Sequence, residues 1–141
     1  MRATRRKASL THLCQLHSEH DAKVQSGTSG TVIHPASTAD MARWEKKLMR
    51  SWPLNGQHVV HYEMPPGKGK LDGMCESGGN GRIKHEIWVS DELDRSNACA
   101  TLMHEWTHAY RWERDPDRAS MHDDLYWVFF GRLYRGMHRT T

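Results

Sequence analysis

At 141 residues with a hydrophobic fraction of 37%, the chain has the length of one compact domain rather than two. Its formal net charge of +3 is exceeded by the four cations Arg2, Arg5, Arg6 and Lys7 alone, so the basicity belongs to the N-terminal end and not to the body of the chain. No apolar stretch of secretory or membrane-spanning length follows that end, which excludes a signal peptide and a transmembrane helix and makes a cytoplasmic setting the expectation.

Cys14, Cys75 and Cys99 are odd in number and lie far apart without C-x-x-C spacing, so neither a disulfide framework nor a cysteine zinc knuckle is expected. Six Trp and eight Met compensate for scarce aliphatic residues and point to a small core of large side chains.

Residues 1–39 read as a basic arm and linker. "SLTHLCQLHSEHDAKV" (9–24) spaces Leu10, Leu13 and Cys14 as a short helix would, and "QSGTSGTVIHPAST" (25–38) has the Gly, Ser and Pro content of a linker. The cationic end offers phosphate contacts, which makes nucleic acid a candidate partner.

The domain proper is expected over residues 40–141. "DMARWEKKLMRSW" places Met41, Trp44, Leu48 and Trp52 at helical spacing, with Ser37 or Thr38 as cap and Pro53 as stop. "GQHVVHYEM" (56–64) and "IKHEIWVS" (83–90) suit strands, with a shorter one around Leu71 to Glu76. These predict a small antiparallel meander. "GKGK" lacks the spacing of a phosphate loop and no helix follows it.

From Leu93 to the break at "DP" (115–116) the pattern is helical, with Ala98, Leu102, Trp106 and Ala109 along one side. Ser120 and Asp123 have capping-box spacing ahead of the next helix. The first of these helices contains "HEWTH". On a helix, His104 and His108 are neighbours on one face and can each offer a nitrogen to one zinc ion. Glu105 is one step round the same turn, where a general base in metal-assisted hydrolysis would stand.

With 11 histidines in the chain, five letters do not decide the matter, and the third ligand has to. The metzincin continuation is excluded because Arg111 and Arg114 occupy its Gly and His positions. A thermolysin-type glutamate is excluded because the only Glu downstream, Glu113, is too close on the same helix. His122, the pair Asp123 and Asp124, and His138 remain. His122 is preferred, since "RDPDRAS" is long enough to reverse the chain and Asp123 and Asp124 have helix-terminus roles.

"MHEWTHAYRWERDPDRASMHDDLYW" resembles the active-site segment of the SprT-like metalloproteases, the group that contains SprT and Spartan. His104, Glu105, His108 and His122 match that pattern position by position, although Asp123 stands where the family commonly has Gly. The resemblance implies an α+β, minimal zincin-like fold over roughly residues 40–138. It further implies a Zn2+-dependent peptidase with His104, His108 and His122 as ligands and Glu105 as catalytic base, acting on a protein or peptide substrate. The rival expectation is a zinc-stabilised binding module without catalysis, its shell completed by Asp123 or Cys99.

Overall fold

The computed structural model describes residues 10–13, 34–79 and 81–138. Seven elements follow in chain order: β1 (Leu10–Leu13), α1 (Thr38–Ser51), β2 (Gln57–His61), β3 (Gly73–Gly78), β4 (Lys84–Val89), α2 (Arg95–Trp112) and α3 (Asp124–Met137).

α1 begins where Ser37 closes a capping box with Asp40: the Ser37 hydroxyl accepts from the Asp40 N–H at 3.0 Å and the Asp40 carboxylate accepts from the Ser37 N–H at 3.0 Å. The Ser37 N–H, the Arg43 guanidinium and Arg95 together hold the Asp40 carboxyl at about 2. Met41 and Leu48 are buried, and Trp44 and Trp52 pack beside them, so the helical spacing in the sequence marks the face that meets the core.

The strands pair in the order β1-β3-β4-β2. β3 is antiparallel to both β1 and β4, whereas β2 runs parallel to β4. The expected antiparallel meander is thus corrected to a mixed sheet. The chain from Tyr62 to Asp72 carries β3 past the slot beside β2, and β4 returns into that slot. Parallel neighbours need such a crossover, which a two-residue hairpin cannot supply.

Leu10–Leu13 is extended and not helical, because β3 offers it a partner: Leu10 lies opposite Ser77 and Leu13 opposite Met74. The rest of the candidate helix over 9–24, the linker up to residue 33, Cys14 and the Arg2 to Lys7 cluster lie outside the described residues. Cys75 and Cys99 are free and buried thiols. Burial raises both, Cys99 to about 11, so they behave as small apolar groups.

α2 is the centre of the fold. Ala98, Leu102, Trp106 and Ala109 are fully buried as the periodicity requires, and Ile87, Val89 and Leu48 join them. One side of α2 packs on β3 and β4, another on α3, and α3 also meets α1. No helix among the described residues is long and apolar enough to cross a membrane.

At its C-terminal end α2 is tied to the sheet through a buried polar chain. His85 Nε2 donates to the Glu113 carboxylate at 2.7 Å, and the Ser77 hydroxyl lies 2.6 Å from His85 Nδ1. Glu113 also accepts the N–H groups of Asn55 and Gly56, both at 2.9 Å, which fixes the entry into β2. Burial pushes the Glu113 carboxyl up, but these donors outweigh it and leave it below its ordinary value. Burial lowers His85 from its ordinary value in spite of that carboxylate, so the ring is neutral, with its proton on Nε2.

A depressed histidine stabilises the folded state above its unfolded value of 6.5 and loses that contribution as the pH falls below it, because the unfolded chain takes up the proton first. Urea unfolding of the wild type and of His85→Gln checks this: the wild type should lose more stability between neutral pH and about pH 5 than the variant. Glu113→Gln should cost roughly 1–3 kcal/mol at neutral pH by weakening a buried, charge-assisted network.

Candidate metal centre

α2 is buried nearly all round, yet it carries Thr101, His104, Glu105, Thr107, His108 and Arg111 among its buried residues. Each such group needs a partner or a ligand, since an unsatisfied buried polar atom is costly. Thr107 returns its hydroxyl to the Met103 carbonyl at 2.7 Å. His108 Nδ1 donates to the carbonyl of buried Ala119 at 2.7 Å, which puts its proton on Nδ1 and leaves the Nε2 lone pair for a ligand role.

The chain reverses between Glu113 and Asp123 through a series of short turns, with Asp115 N–H on the Arg111 carbonyl at 2.7 Å and Met121 N–H on the Arg118 carbonyl at 3.0 Å. This return brings His122 back to the α2 histidines. His122 Nε2 lies 3.1 Å from His108 Nε2 and 3.2 Å from His104 Nε2. Among the described residues, His104, His108 and His122 form a group whose ligand atoms converge and that can hold a metal ion.

The donor set fits zinc. Two nitrogens at Zn–N distances of 2.0–2.1 Å in tetrahedral geometry stand about 3.3 Å apart, close to the separations between these rings. Three imidazole nitrogens suit a borderline ion better than an oxygen-seeking one such as Mg2+ or Ca2+. His104 and His108 are buried and His122 is half-buried, so the group opens towards solvent on the His122 side.

Aromatic rings set the positions of all three histidines. Tyr126 lies beneath them, stacked on His108 at 4.7 Å and edge-on to His122 at 4.8 Å and to His104 at 5.4 Å. Its hydroxyl donates to the His104 carbonyl at 3.2 Å. Fully buried there, Tyr126 is a packing platform, and Tyr110 packs edge-on against Trp52 and Phe129. Trp127 stacks on the outer face of His122 at 5.9 Å, and Phe130 meets His104 edge-on at 6.2 Å.

His122 does not sit in the first turn of α3, as the Ser120–Asp123 spacing suggested, but in the extended lead-in before it. Asp123 is the N-cap, accepting the Tyr126 N–H at 2.9 Å. Its carboxylate also takes a two-pronged contact from Arg111, at 2.7 and 3.2 Å, and these donors hold it below its usual range. That pull fixes the cap at Asp123 and not at Ser120.

Arg111 is itself buried and donates to the Met121 carbonyl at 3.1 Å, so one guanidinium grips the residues on both sides of His122. Asp123 and Asp124 stand outside the converging group: Asp124 lies in the first turn of α3. His138 packs against Tyr134 at the far end of α3, and Cys99 is buried away from the three histidines.

Glu105 is fully buried in the seam between α2 and β3. Gly73 makes that seam narrow: a Cβ there would come 3.1 Å from Glu105 Oε2 and 2.4 Å from Thr101 Cγ2. Sequence reasoning missed Arg111, Gly73 and the platform role of Tyr126. Two of them had no signal, because a buried arginine and a close-approach glycine look like any other. Tyr126 stands four residues after His122, within reach of helical spacing, but nothing distinguished it from an ordinary core tyrosine.

No protein-family profile matches the chain, and neither do any curated protein or solved structure.

Arg111→Leu should leave the three histidines intact but free the lead-in that carries His122. Zinc affinity, measured by competition with a chromogenic chelator, should fall about 10- to 100-fold, as for other partners that orient ligands from outside the coordination shell. Gly73→Ala should cost roughly 1–3 kcal/mol in thermal unfolding, since the seam has no room for the methyl group.

Proposed function

We propose that the chain is a zinc-dependent hydrolase that cleaves peptide bonds, a metallopeptidase of the SprT-like type. The observation that carries this reading is the convergence of His104, His108 and His122, two from one helix and one from the lead-in to the next, around a position where a tetrahedral ion fits. When bound there, zinc supplies a Lewis acid that polarises a carbonyl and makes water acidic near neutral pH.

Glu105 follows the first ligand directly. In the proposed reaction it takes the proton of the attacking water and hands it to the leaving amine, so that proton uptake and release share one carboxylate. The three histidines would hold the ion through one ring nitrogen each. His108 is held to one tautomer by the Ala119 carbonyl, and the Arg111 grip holds the backbone of His122.

The state of the other candidate ligands favours an open coordination position over a saturated structural site. Asp123 is engaged by Arg111 and the Tyr126 N–H, and Cys99 lies outside the group. A catalytic zinc keeps three protein ligands and one exchangeable position, whereas a structural one takes four. The substrate is an extended polypeptide, bound by addition to an edge of the sheet. Proteins on or near nucleic acid are the proposed targets, with Arg2, Arg5, Arg6 and Lys7 supplying phosphate contacts.

Two variants test the reading together. Glu105→Gln should retain one zinc per chain, by metal mass spectrometry, while casein cleavage falls by about 10²- to 10⁴-fold, the range for loss of a general base. His122→Ala should lose both zinc and cleavage. Zinc retention in His122→Ala, or full activity in Glu105→Gln, would contradict the assignment.

A further inference from the structure

β1 is the outermost strand of the sheet and comes from the N-terminal arm, not from the body of the domain. Its place relative to the metal centre follows from the geometry of α2. Successive residues of an α-helix are turned by about 100°. Thr101 and Glu105 face β3, as the close approach of Gly73 requires. One step on, Trp106 meets His58 of β2 and donates to the Trp52 carbonyl. One step back, His104 must lie on the opposite flank. Because the strand order is β1-β3-β4-β2, the flank opposite β2 is the one bordered by the outer edge of β3, where β1 lies.

The levels along the helix agree as well. Gly73 at the start of β3 sits against Thr101 and Glu105, while Ser77 near its end connects through His85 to Glu113, just past the end of α2. β3 therefore runs alongside α2 from Thr101 to Glu113, and His104 and His108 fall within that span. β1 pairs with Met74 through Ser77, across the same span and in the antiparallel sense.

We propose that Leu10–Leu13 is an internal occupant of the strand position that a substrate peptide takes, so that release of β1 opens the site. The proposal rests on the peptidase reading above. An extended substrate adding to β3 beside the metal centre would need the same N–H and C=O groups that β1 now uses. Residues 14–36 join β1 to the Ser37 cap, so β1 competes for the edge of β3 from within the same chain. A segment so tethered competes at an effective concentration on the order of millimolar. It suppresses weakly adding peptides and yields to tightly adding ones.

The full-length variant Thr11→Pro/His12→Pro removes two N–H donors from β1 and should release it. Three readouts are compared between zinc-loaded wild type and variant: hydrogen exchange of β3 amides, casein cleavage, and binding of a fluorescein-labelled peptide with the sequence of residues 8–15, Cys14 replaced by Ser. The variant should bind the peptide at least about tenfold more tightly than the wild type, because the tethered competitor is gone. Its β3 amides should exchange faster until the peptide is added, and casein cleavage should rise severalfold.

No gain in peptide binding, or casein cleavage that is measurable and equal in both proteins, overturns the proposal, and measurable cleavage leaves the peptidase reading intact. A gain in binding with no cleavage by either protein upholds the strand exchange and overturns the peptidase reading instead. A milder variant, Thr11→Gly/His12→Gly, guards against misfolding: loss of the folded state in both variants makes β1 an integral strand and overturns the proposal.

Discussion

The constraint on which the structure depends is that α2 is enclosed on nearly every side while carrying side chains that do not tolerate enclosure. A helix buried all round is ordinarily apolar all round. This one holds two imidazoles, a carboxylate, two hydroxyls and a guanidinium, and the surrounding fold is arranged to answer them. The sheet approaches through a glycine where Glu105 and Thr101 lie, α3 begins with the aspartate that Arg111 needs, and the returning loop offers Ala119 and His122 to His108.

These answers depend on one another. Asp123 is at once the cap of α3 and the partner of Arg111, and Tyr126, whose N–H Asp123 holds, is the ring on which the three histidines rest. Displacing any of them moves His122, which lies between two residues that Arg111 grips. Groups that share partners in this way respond non-additively to substitution.

Much of the helical architecture was legible in the sequence because it rests on local rules. The face of α1 follows from the spacing of Met41, Trp44, Leu48 and Trp52, and the His104–His108 pair follows from the period of a helix. The meeting of His122 with them was allowed by the length of the returning loop, which left Asp123, Asp124 and His138 open as well. The parallel pairing of β2 with β4 was not legible, because the crossover that produces it is a matter of chain path and leaves no mark on alternation within either strand. For the same reason Leu10–Leu13 read as part of a helix: its spacing suits one, and only a partner 61 or more residues away in sequence, Met74 to Ser77, makes it a strand. The role of His85, bridging Ser77 to Glu113, was not legible either, because it depends on burial that the sequence does not display.

The three candidate ligands belong to two pieces of chain, which also meet through Tyr126, the Arg111 guanidinium, the Ala119 carbonyl and the packing of Phe129 and Phe130 on α2. An ion held by all three ligands would act as a rivet between α2 and the start of α3, and its binding energy would be part of the energy that docks that helix. The far end of α3 has its own anchor in Leu133, buried in the main core, and Lys47 of α1 donates to the Met137 carbonyl. Metal occupancy would then set the stiffness of one end of α3 and leave the other unchanged. The mobility of Trp127, stacked on His122 and half exposed to solvent, would rise and fall with it.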